Sequence, residues 1–159
     1  MSCDAAAAAF LFLASASPSG PAPGPVPAVA TAPRSVAQEP LFADIVVRAA
    51  KLKTEVDGYR TPALKASSAP LPLPGFDKFK ARIAELSDLD MKGHLELAKT
   101  GEDGDLKCIL KGISQDLPLK LKDLIQAQTG AAEDNALRDM AYLLRDNVEV
   151  ITAPPTPAA

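Results

Sequence analysis

Beyond residue 40 the apolar side chains recur every three or four positions, and nowhere do they alternate with polar ones for long enough to mark a strand. Leu41, Phe42, Ile45, Val46, Ala49, Leu52, Val56 and Tyr59 form one stripe, while Arg48, Lys51, Lys53, Glu55 and Asp57 take the other side. That spacing predicts an amphipathic helix, with Pro40 in a first turn that needs no amide hydrogen there and Gly58 as its stop. A second stripe runs Phe76, Phe79, Ile83, Leu86, then Leu89 or Asp90, Met91, Leu95 and Ala98. It predicts a helix capped by Asp77 and ended at Thr100-Gly101, with Gly93 as a mild weak point.

Leu106, Ile109, Leu110 and Ile113 predict a third helix, capped by Asp105 after the polar turn Gly101-Glu102-Asp103-Gly104. Asp116 reads as the cap of a fourth, with Pro118 near its first helical position and Leu117, Leu121, Leu124 and Ile125 along it, ending at Thr129-Gly130. Ala136, Leu137, Met140, Ala141, Leu144, Val148 and Ile151 predict the last, with Glu133 and Asp134 at its positive end. None of these faces can be left in water, so the expected fold class is all-α. It is an antiparallel helical bundle of four to five amphipathic helices over 41–152, a length sufficient for a self-supporting core.

Fifteen prolines mark where packing should stop. Those between Pro18 and Pro33, among Ala, Ser and Gly, predict a disordered arm over 17–40, and Pro154, Pro155 and Pro157 a disordered tail over 153–159. A loop over 60–75 carries Pro70-Leu71-Pro72-Leu73-Pro74. Its two leucines predict an extended segment lying across the core. Residues 1–16 hold an apolar run, Ala5 to Ala14, closing on Ala14-Ser15-Ala16, which is the layout of an export signal and predicts a periplasmic or secreted protein. The run departs from that pattern in having an acid, Asp4, and no basic residue before Arg34. The alternative is an apolar leader on a cytoplasmic protein. At about half of the ~20 apolar residues a membrane crossing requires, it predicts no integral span.

A net charge of -3 provides no basic field for phosphates, so nucleic acid is not an expected partner. Of two cysteines, Cys3 would leave with a cleaved leader, which leaves Cys108 without a partner for an internal disulfide.

Candidate chemistry is sparse. His94, the one histidine, and Met140 on the last helix could together hold haem or a metal, as a His and a Met on facing helices do in some four-helix cytochromes. The simpler reading is a boundary histidine and a core methionine, and no CxxCH segment offers covalent haem attachment. Cys108, with His94 as base, would make a nucleophile, but it sits beside the Leu106, Ile109 and Leu110 face, where a small buried thiol is the commoner outcome. The acids at 102, 103 and 105 suggest calcium until the closing position of an EF-hand loop, counted from Asp103, turns out to be Ser114. No nucleophile elbow, phosphate-cradling glycine loop or paired CxxC is present. The expectation is therefore a non-enzymatic interaction or structural module with no catalytic residues, cofactor or metal. It would bind an unidentified protein through an apolar edge, at Leu71 and Leu73 or on the first helix.

Overall fold

The computed structural model describes residues 36–100 and 104–153, and every regular element in them is helical. A 3-10 turn at Val36–Gln38 leads into α1 (Pro40–Tyr59), followed by a short α2 (Pro62–Ala66), α3 (Phe76–Thr100), α4 (Gly104–Ile125) and α5 (Gly130–Thr152). Among the described residues no helix is long and apolar enough to cross a membrane. The apolar leader lies outside the described residues.

The four long helices form an antiparallel bundle. Phe42 near the start of α1 meets position 93 late in α3, while Tyr59 at the end of α1 stacks edge-on against Phe79 early in α3. Ser87 pairs with Ser114 and His94 with Lys107, so α4 runs back along α3. Arg60 after α1 reaches Asp134 at the start of α5. Helices adjacent around the bundle are α1 and α3, α3 and α4, α4 and α5, and α5 and α1, which leaves α3 and α5 on one diagonal, running the same way. The core between them is Phe42, Ile45, Leu52, Phe79, Ile83, Leu86, Leu110, Leu117, Leu137, Met140 and Leu144, none more than 2% exposed.

Several elements differ from the sequence expectation, each for a physical reason. The third and fourth predicted helices are one, α4, with Pro118 inside it and Asp116 exposed on its flank rather than capping anything. A proline there removes the amide that would donate to the carbonyl four residues earlier, that of Ser114. The Ser87 hydroxyl of α3 takes over this task, donating to the Ser114 carbonyl over 2.7 Å, so the helix passes through with the acceptor satisfied. Thr129 caps α5 instead of ending α4, its hydroxyl accepting from the Ala132 amide, and Gly130 is the first residue of α5. Gly93 sits where side chains of α1 and α4 close on α3. A Cβ there would lie 3.1 Å from Leu110 Cδ1 and 3.2 Å from Phe42 Cε1. Of the arm expected over 17–40, residues 36–40 form a 3-10 turn and the start of α1, with Val36 in the core at 7% exposure, while 17–35 and residues 154–159 of the expected tail lie outside the described residues. Asp77 stands in the first turn of α3, paired with Lys80, and not at the cap.

The loop over 60–75 is better organised than its prolines suggest. Thr61 caps α2 and Pro62 opens it, a combination that offsets the shortness of the helix. Leu64 is buried, and the Gly130 amide donates to the Ser67 carbonyl. The Leu71 amide donates to the buried Glu133 carboxylate over 2.8 Å. The segment Leu71–Pro74 is thereby strapped to the α5 N-terminus, with Leu73 half-buried against the core and Leu71 38% exposed.

Candidate functional site

Among the described residues, two places where the bundle departs from plain apolar packing bear on function. The first lies on the α3–α5 diagonal. The α3 core stripe passes through Ile83, Leu86, Asp90, Gly93 and Leu97, and the α5 stripe through Leu137, Met140, Leu144, Asn147 and Ile151, so each carries one polar residue where spacing calls for an apolar one. Both Asp90 and Asn147 are 0% exposed, and Asn147 Nδ2 donates to Asp90 Oδ2 over 2.9 Å. The remaining oxygen of each, Asp90 Oδ1 and Asn147 Oδ1, has no hydrogen-bond partner. Burial pushes the Asp90 carboxyl up to about 8, against the smaller opposing pull of the Asn147 amide.

One turn beyond Asp90, the half-buried His94 has its Nδ1 2.7 Å from the Lys107 carbonyl. A carbonyl can only accept, so Nδ1 carries the hydrogen. Met140 is wholly buried. Because α3 and α5 run in parallel with Asp90 level with Asn147, His94 lies four residues to one side of that level and Met140 seven to the other. At ~1.5 Å per residue the two are offset by roughly 16 Å along the bundle. A shared iron would need them within about 5 Å, so the structure does not bring this pair together. Among the described residues no group of three His, Cys, Asp or Glu side chains is placed to hold a metal ion. Cys108 is half-buried and is not a free thiol, which removes the nucleophile reading and corrects the expectation that it stands alone. Asp105 is exposed in the first turn of α4, while positions 101–103 lie outside the described residues.

The second place is on the surface at the other end of the bundle. Tyr59, Thr61, Leu64, Leu71, Pro72, Leu73 and Pro74 border an open groove of about 470 Å³, with Glu55 and Gly58 on its α1 side. The Tyr59 hydroxyl fixes one wall, lying 2.8 Å from Glu55 Oε1 and 2.7 Å from the Pro74 carbonyl. Burial and the Glu55 carboxylate push that phenol up to about 12, so it stays a neutral donor. Arg82 reaches Glu55 from α3 and keeps the rim in place. The groove floor is apolar and its backbone is held from below by Glu133, so it is preformed.

The diagonal polar pair was not singled out from sequence, although its signal was in view: a polar residue at a core position of an otherwise apolar stripe. The leucines at 71 and 73 were, and they line the groove. The chain matches no family model, no curated protein and no solved structure.

Proposed function

We propose that this chain is a small, non-enzymatic helical interaction module, exported to a periplasm or beyond the cell, that receives a protein partner in the groove between the end of α1 and the Leu71–Pro74 strap. The observation that carries the reading is the groove itself: apolar side chains held open to solvent by polar groups already committed elsewhere. Tyr59, Glu55, Glu133 and Arg82 all serve the walls, which leaves none of them to act on a substrate. A site for chemistry needs convergent polar groups facing a cavity, and the acid–amide pair is wholly buried.

A photo-reactive amino acid placed at Leu71, and as a control at Leu119 on the outer face of α4, tests the proposal in the native cell. A discrete adduct from position 71 that is missing from position 119 is the expected result. Equal labelling from both, or none from 71, would overturn it. Export has its own measurement, the intact mass of protein from its native source. A start near Ser17 supports it, and a retained Met1 or Ser2 would show that the leader is not cleaved as an export signal.

A further inference from the structure

The diagonal pair carries an inference independent of the groove. An amide and a carboxylate that share one hydrogen bond should not also bury two oxygens with nothing to accept from, since an unpaired buried acceptor has lost its water and gained nothing in return. The pair as a whole lacks one hydrogen, and the missing hydrogen is the one a carboxylic acid would bring. With Asp90 protonated at Oδ1, its O–H becomes a donor next to a partner whose own oxygen wants one.

We propose that Asp90 and Asn147 form a proton-dependent latch between α3 and α5: the protonated acid and the amide hold the diagonal together, and removal of the proton leaves a charge in the core that loosens it.

The surroundings offer that charge no relief. On α1 the residues nearest this level are Phe42, Ile45 and Ala49, and the charged Asp44 and Arg48 face outward, paired with each other. On α4 the register places Leu110 and Ile113 inward, with Lys107 and Lys111 as the nearest cations. On α5, Leu144 and Ile151 flank Asn147, and Arg145 and Asp146 pair on the outer side. On α3 itself the nearest titrating group is His94, whose Nδ1 is engaged by Lys107. Burial and Asn147 alone determine the Asp90 balance, and no cation contributes to it.

The sign follows from linkage. The folded carboxyl titrates near 8, above its ordinary 3.8, so between these values the folded state holds a proton that the unfolded state does not. Stability is then highest below about pH 4, falls as pH rises toward 8, and levels off above it. Well inside that window the folding equilibrium constant should drop about tenfold per pH unit.

Urea unfolding of the full chain from pH 5 to pH 9 tests this in wild type, Asp90→Asn and His94→Gln. The expected result is a fall in wild type that His94→Gln retains and Asp90→Asn abolishes, because a second amide donates without titrating. The same pH dependence in Asp90→Asn as in wild type, or a loss of it in His94→Gln, would overturn the latch. Should Asp90→Asn not fold, the carboxyl carbon shift of Asp90 in the wild-type protein decides the matter by nuclear magnetic resonance. A protonated acid at pH 6.5 is expected, and an ionised one would end the proposal.

Discussion

Removing the Ser87 hydroxyl should expose how α4 tolerates a proline in its interior. In Ser87→Ala the Ser114 carbonyl, in a residue only 4% exposed, loses the donor at 2.7 Å that replaces the missing amide of Pro118. A buried carbonyl left without a partner costs about 1–3 kcal/mol, and the small cavity adds little, since one oxygen is lost. The compensating change is Pro118→Ala, which restores an N–H pointing along the helix at the same carbonyl and removes the ring from an exposed position. In that background Ser87→Ala should cost less than about 0.5–1 kcal/mol, the net worth of an ordinary hydrogen bond. The double-mutant cycle then gives a coupling of about 1–2 kcal/mol between two residues on different helices. Urea unfolding followed by far-ultraviolet circular dichroism at fixed pH, with equal slopes for all four proteins, measures each corner. A cost for Ser87→Ala that is the same with and without Pro118 would refute the assignment of the hydroxyl to the proline gap.

Gly130→Ala should destabilise the clasp between α2 and α5, because a Cβ there would lie 2.0 Å from the Leu64 carbonyl oxygen and 2.9 Å from Ser67 Cβ. A loss of about 1–3 kcal/mol in the urea midpoint, as for other forced overpacking, is expected, and no change would refute the close approach. Met140→Ala empties a site with no solvent exposure and should cost about 2–5 kcal/mol. The haem titration of that variant, read as visible absorbance, should match that of wild type, because Met140 is out of reach of His94. Limited proteolysis should cut first at the exposed positions 68–70, between the Ser67 and Leu71 anchors, and only later within 77–151. Early cleavage between Leu117 and Leu124 would show that α4 does break at its proline.

The parts of the fold legible from spacing are those whose stabilisation is local to one helix face. The stripes of α1 and α5 read directly, and Pro40 opens α1 as its position predicts, whereas Gly58, expected to stop that helix, lies inside it one residue before its end at Tyr59. Pro118 opens no helix, because the carbonyl it leaves bare, that of Ser114, is satisfied by a hydroxyl 27 residues from it in sequence, invisible until α3 and α4 lie side by side. Gly93 misled in the same way. Seen alone it weakens a helix, whereas in the bundle its missing side chain is the space that Phe42 and Leu110 occupy. Thr61-Pro62 carried a readable helix start that the surrounding prolines masked. Of the two candidate places, the Leu71 and Leu73 edge was readable because apolar side chains in an extended proline-rich segment need something to lie on. The Asp90–Asn147 pair required knowing that residues 57 positions apart face each other across a core.

The pairing of α1 with α5 also dictates the order in which the molecule assembles. The α3–α4 hairpin joins sequence neighbours across a short turn, whereas Arg60 must find Asp134 across 74 residues, and Gly130 must find the loop after α2. Closing so long a loop is entropically costly until the intervening helices have shortened it. A nascent chain can cover part of its first helix with α3, but the face that meets α5 stays unburied until the last helix has been synthesised. During that interval it remains threadable, and it is exposed to any chaperone that binds greasy helices.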